Sequence, residues 1–170
     1  MALVVETGAG LDDSDSYISL ADARALAEKY GITLPALDAD AEVALRQGAQ
    51  YVDLQEPGFC GSRLVDTQAM AWPRTETVNA YGQTIAAGAM PKQLGIAQVY
   101  AAAEYGAGTD VRATDDGKAV ASEEVTGAVA VSYFNNGKTG STVTITKCLD
   151  ALSPLLVCAS NGFEFRVSRG

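Results

Sequence analysis

The sequence predicts an α+β fold: a mainly helical body of three helices with a long β-hairpin and an extended C-terminal arm. Three observations lead there. Apolar residues recur at helical spacing in three stretches before Gly106, each with its own start or stop signal. After Gly106 the chain turns to β-branched and alternating residues. Near its end, Phe163, Phe165 and Val167 alternate strictly with Glu164 and Arg166.

The chain opens with a short β-like stretch, residues 3–6, that runs into the turn signals Gly8 and Gly10 and an acidic-serine cluster, Asp12 to Ser16. A first helix fits residues 20–30, with Ser19 as N-cap, Asp22 on the first turn and Gly31 as the stop. Leu20, Ala23, Ala27 and Tyr30 form its stripe. A second helix fits residues 39–54, capped by Asp38 or Asp40, with Ala41, Ala44, Leu45, Gly48 and Val52 on one face and Ala49 and Tyr51 widening it. A glycine inside a helix costs about 1 kcal/mol relative to alanine, so Gly48 marks a close crossing with another backbone.

Residues 55–90 read as irregular. Glu56-Pro57-Gly58 is a turn, Ala69-Met70-Ala71-Trp72-Pro73-Arg74 a compact apolar anchor, and 79–88 a short hairpin or ordered loop. A third helix starts with Pro91 at its first position and runs to Tyr105, ended by Gly106 and Gly108. Its residues leave almost no polar face, which requires cover on most sides, from the domain or from a neighbouring subunit. Residues 118–125 and 128–134 form the hairpin across Thr126-Gly127. A polar linker at 135–141, a strand-like 142–146, a short helix at 147–153 and a turn at Pro154 follow. Residues 1–110 are thus a helical body, and 111–170 add the hairpin, short helix and C-terminal arm to the same domain.

Composition narrows the function. Lys and Arg number 12 against 21 Asp and Glu, a net charge of -9, and no basic run occurs. Proteins that grip nucleic acid bring clustered cations to the phosphates, so the balance argues against tight DNA binding. It is compatible with a surface past which DNA slides. Histidine is absent, which removes the usual general base, the commonest nitrogen metal ligand and every Ser-His or Cys-His arrangement. Cys60, Cys148 and Cys158 form no CxxC pair and read as reduced thiols of a cytoplasmic product. The opening apolar run is too short for a signal peptide, and no segment reaches membrane-span length, so no membrane partner is expected. Hydrophobic residues make up 48% of the chain but aromatics only 7%. Alanine buries little area, so a lone subunit should be modestly stable and gain from neighbours.

The motifs that could carry chemistry are weak. Gly137-Lys138-Thr139 ends like a phosphate-binding loop, but Ser132 stands where the first glycine belongs, and a β-branched run follows instead of a helix. Gly8 and Gly10 lack the third glycine of a dinucleotide fingerprint, since Asp13 holds its place. Asp12, Asp13 and Asp15 lack the glycine and distal glutamate of a calcium loop, and capping is the better reading. Glu123 and Glu124 point to opposite faces of a strand and cannot converge for acid-base work. Trp72, the single tryptophan, could be an exposed stacking residue but reads better as a core anchor with Pro73 and Arg74. No catalytic, cofactor-binding or metal-binding residue is assigned, no cofactor is expected, and the reading is non-enzymatic.

The opening Met1-Ala2-Leu3-Val4-Val5-Glu6-Thr7-Gly8 and the run Asp15-Ser16-Tyr17-Ile18-Ser19-Leu20-Ala21-Asp22-Ala23 resemble the start of a family of tailed-phage proteins. Ala44-Leu45-Arg46, Ala49-Gln50-Tyr51-Val52-Asp53, Gln68-Ala69-Met70-Ala71-Trp72-Pro73-Arg74 and Met90-Pro91 continue the likeness over about two-thirds of the chain. The family is similar to head-completion or head-tail connector (adaptor) proteins, which often carry the label DnaT-like single-stranded-DNA-binding. The resemblance implies a structural virion subunit in a ring, typically dodecameric, at the neck between head and tail. Its expected partners are the portal protein and tail or tail-completion proteins, with genomic DNA passing through the channel without specific binding. The alternative is a DnaT-like single-stranded-DNA-binding module, with Tyr51, Trp72, Tyr81, Tyr100 and Tyr105 as aromatics. Residues 159–170 exceed the likeness, and Phe163, Phe165 and Val167 are read there as an interaction edge.

Overall fold

A computed structural model describes residues 2–109, 111, 122–125, 128–132 and 143–156. The fold is α+β, with four helices and three two-stranded antiparallel ladders among these residues. The chain divides into two compact units, one of Met1–Thr109 with Ile145–Gly170 and one of Asp110–Thr144.

In the first unit, α1 spans Leu20–Tyr30. Ser19 caps it by accepting the Asp22 N–H, and Gly31 ends it in the left-handed region at φ 64°. The helix α2 is Asp38–Asp53. Its N-cap is Leu37, without a side-chain cap bond, so neither Asp38 nor Asp40 caps it as expected. Both lie instead on the first turn, where a carboxylate still meets the positive end of the helix dipole. The helix α3 is Lys92–Gly106. Pro91 is its N-cap, with extended φ/ψ, one position earlier than the sequence suggested.

The fourth helix, α4 (Thr146–Leu156), packs against α3 and belongs with the helical body. It starts within the stretch read as a strand, and residues 143–145 before it form none. It also runs through Pro154, which was expected to end it. Proline removes the N–H that would bond the Asp150 carbonyl, and Ser153 Oγ donates to that carbonyl at 2.9 Å instead. Cys148, Leu152 and Leu155 form its buried face.

The core is built from small residues. Ala23, Ala27, Ala44, Leu45, Val99 and Ala102 form a buried cluster flanked by Leu3, Ile18, Leu20, Leu26, Ile32 and Leu34. The apolar character of α3 follows from its position: α1, α2 and α4 all pack on it. Gly48 is the crossing point. A Cβ there would sit 2.6 Å from the Gln98 carbonyl oxygen and 2.9 Å from the Ala102 nitrogen. Gln98, fully buried, closes the seam by donating to Leu45 O at 2.9 Å and Ser16 Oγ at 2.8 Å while accepting the Tyr17 N–H at 2.8 Å.

Between α2 and α3, the Glu56–Gly58 turn leads into β1 (Ser62–Arg63), which pairs with β2 (Arg74–Thr75). β3 (Thr77–Val78) then pairs with β4 (Thr84–Ile85) around a tight turn, which resolves the expected hairpin at 79–88. At the N-terminus, Val5 bridges Ser16 in parallel. In the second unit, β5 (Ser122–Val125) and β6 (Ala128–Ser132) are antiparallel, with a register shift between Glu123 and Val125. The outer ends of the expected hairpin, the linker with Gly137-Lys138-Thr139, Cys158 and the C-terminal arm lie outside the described residues. Among the described residues, no helix is long and apolar enough to cross a membrane.

The crossing gives a direct test. Gly48→Ala should gain about 1 kcal/mol of helix propensity yet still destabilise the fold, by about 1–3 kcal/mol, because the methyl meets backbone rather than a movable side chain. Urea unfolding measures the sign; a stabilised variant would mean that the two helices are not in close backbone contact.

Candidate interaction surface

The Trp72-Pro73-Arg74 block is an internal knot. Trp72 is fully buried, joined to Pro73 by a cis peptide bond, and its ring meets the Phe59 edge at a centroid distance of 5.9 Å. Among the described residues its indole N–H finds no hydrogen-bond partner. Such burial suits packing and removes the ring from any stacking partner in solvent. Arg74, also buried, donates from Nε to Cys60 O at 2.8 Å, from Nη2 to Gly61 O at 2.7 Å and from Nη1 to Ala71 O at 3.2 Å. It also meets Glu56 at 3.3 Å, and Arg63 forks onto the same carboxylate at 2.7 and 2.6 Å. The two guanidinium groups, Arg63 foremost, hold the Glu56 carboxyl below its ordinary range. Cys60 is disulfide-bonded, which corrects the reading of three reduced thiols; Cys148 is free, and burial pushes its thiol up to about 12.

Beside this knot, Asp53 at the end of α2 accepts from the Tyr17 hydroxyl and from the Ala71 N–H at 3.2 Å. The same Tyr17 oxygen accepts the Trp72 N–H at 3.3 Å. Burial, outweighing these bonds, pushes the Asp53 carboxyl up to about 6. Sequence reasoning missed both residues, because a tyrosine and an aspartate so far apart give no local signal. It also missed Glu6, a buried carboxylate that accepts from the N–H groups of Gly8, Gly10 and Leu11 at 2.9–3.0 Å and from Ser14 Oγ at 3.1 Å. A Glu placed just before two nearby glycines was the available signal.

The acidic cluster is dispersed. Asp12 and Asp13 are exposed, while Asp15 pairs with Arg46 at 2.6 Å and accepts the Val4 N–H. Among the described residues, no group of three His, Cys, Asp or Glu side chains could hold a metal ion. The arginines follow one pattern. Each arginine of the described residues meets a carboxylate: Arg24 with Asp38, Arg46 with Asp15, Arg63 and Arg74 with Glu56. Of the aromatics considered for base stacking, Tyr51 and Trp72 are buried, Tyr100 and Tyr105 are half-buried, and Tyr81 is 75% exposed at the hairpin tip.

An open concave feature lies where α1 ends and α3 ends. The loop from Gly31 to Ala36, with Tyr30, Tyr100, Ala103, Glu104 and Lys147, encloses a groove of about 590 Å³. Arg24 holds the loop by donating to Ala36 O at 3.0 Å, and Pro35 sits against Gly106, where a Cβ would meet its ring at 2.7 Å. Tyr30 is 47% exposed on the groove wall and Leu37 67% exposed just beyond it. Apolar walls with one carboxylate and one ammonium suit a peptide better than a phosphate backbone.

Taken together, the described residues make an α+β protein with a buried polar knot, internally neutralised arginines and one apolar groove. A family model described as "Putative DnaT-like ssDNA binding protein" matches residues 1–170, and the chain belongs to that family. The match takes in residues 159–170, which the resemblance drawn from sequence did not cover. No curated protein and no solved structure matches the chain.

Two tests follow. Because the folded Asp53 carboxyl is raised from 3.8 to about 6, the folded state holds its proton more tightly than the unfolded chain. Its contribution is therefore present below about pH 4 and lost as pH rises through 6. Asp53→Asn, which keeps an accepting oxygen for Tyr17 and Ala71, should flatten the stability profile between those values; an unchanged profile in denaturant titrations would show that Asp53 titrates normally. Trp72→Ala should cost about 3–5 kcal/mol, read as a lost or strongly lowered thermal transition.

Proposed function

We propose that the chain is a non-enzymatic structural subunit of a tailed-phage particle, a head-tail connector whose ring joins the portal to the tail and continues the DNA channel. The observation that carries this reading is the state of the arginines: in a chain of net charge -9, each one described is already matched by a carboxylate. Such a surface offers phosphates little, and a channel wall needs to let DNA pass rather than hold it. The sequence likeness to phage head-completion proteins supports the same reading, as does an alanine-rich core that buries little area per residue. Its expected site is the virion neck, and its expected partners are further copies of itself, the portal and the tail-completion proteins.

The second reading is a single-stranded-DNA-binding module, and the family description favours it by name more directly than the connector. Exposed Tyr81 and the half-buried Tyr100 and Tyr105 are its available stacking residues. The two readings part on one pair of measurements. Purified protein mixed with a portal ring should form a defined additional tier in negative-stain images, while fluorescence anisotropy with a short single strand at physiological salt should show no saturable binding at low micromolar protein. Tight, salt-sensitive binding without portal docking would establish the DNA-binding module instead.

A further inference from the structure

We propose that the groove between the α1–α2 loop and the end of α3 receives the C-terminal segment Phe163 to Val167 of a second copy of the chain. This inference rests on the ring reading above, for which it supplies a copy-to-copy contact.

Size, chemistry and reach carry it. A cavity of about 150 Å³ holds one benzene ring, so a groove of about 590 Å³ has room for two phenyl rings and an aliphatic side chain. Its walls are apolar and aromatic through Tyr30, Ile32, Leu34, Pro35 and Tyr100. The segment offers Phe163, Phe165 and Val167 on one edge of an extended chain. Its other edge carries one carboxylate and one guanidinium, Glu164 and Arg166, and the groove carries one charge of each sign, Glu104 and Lys147. The two charges of the segment cancel, so seating its apolar edge adds no net charge to the contact, whereas the net charge of -9 makes contact between acidic surfaces of two copies repulsive.

Reach selects the source. Lys147, at the first turn of α4, lines the groove, and Leu156 ends that helix. From Lys147 to Leu156, nine steps of α4 carry the chain about 14 Å along the helix axis. Six residues then lie between Leu156 and Phe163, seven steps of chain and at most about 25 Å fully extended. A subunit's own segment would spend more than half of that length doubling back, a detour that a neighbour's segment does not make. An extended terminus seated in the next copy's groove is a heterologous contact, the kind that closes into a ring.

The test uses the full chain and a labelled synthetic peptide of residues 161–170. The wild-type protein and a Phe163→Ser/Phe165→Ser double variant, checked by thermal melting, are titrated with the peptide by fluorescence anisotropy. Both should bind saturably, with affinity lowered about tenfold or more by Leu34→Glu or Tyr100→Ala, a loss equivalent to one good anchor. No saturable binding to either protein overturns the proposal. Binding to the double variant but not to a wild-type protein that elutes as a monomer means that each copy fills its own groove, which overturns the proposal; the same block seen only in associated wild type supports it. Competition by a single-stranded oligonucleotide would reassign the groove to nucleic acid. Portal docking is scored separately: a double variant that still docks with wild-type occupancy removes the arm contact and leaves the connector reading standing. Peptide binding without portal docking does the reverse.

Discussion

The close crossing of α2 and α3 is the constraint on which the rest of the first unit depends. Gly48 brings the two backbones within reach, and Gln98 uses that proximity to bond the α2 backbone at Leu45 and the N-terminal segment at Ser16 and Tyr17. A side chain at position 48 would push the helices apart and weaken the bond from this buried amide to Leu45 on α2. From the same seam, Tyr17 reaches Asp53 and the Trp72 backbone, so the crossing also sets the position of the knot between α2 and β2.

The knot explains a division of labour among the charges. Glu56 gathers Arg63 and Arg74 at one place, while Asp15 and Asp38 take Arg46 and Arg24. Exposed pairs such as Arg24–Asp38 add little stability. Arg74 differs because it is buried and donates to three backbone carbonyl groups. The arginines thus organise loops, and the excess of carboxylates is left to dominate the field around the chain. That field repels phosphates and disfavours close approach of other acidic surfaces.

Local rules that act over a few residues made much of the fold legible. The bounds of α1, its Ser19 cap and Gly31 stop, the helical stripe of α2, the breadth of apolar cover required by α3 and the crossing at Gly48 all follow from side-chain spacing and glycine chemistry. The errors came from places where a local rule was overruled. The aspartates near α2 have the chemistry of caps, yet the helix begins at Asp38 itself. Pro154 has the chemistry of a stop, yet Ser153 supplies the missing donor and α3 supplies the packing that keeps α4 helical.

By itself, the sequence determined the α+β class, the helical stripes, the acidic balance and the lack of any histidine-based chemistry, because each is a property of residues or short windows. Only the tertiary structure decided which carboxylates are neutralised, that Asp53 and Glu6 are buried, that Cys60 is bonded, and that a groove opens between the α1–α2 loop and α3. Each of these joins residues far apart in the chain, and burial and pairing at such distances are set by how helices pack, which no local spacing records.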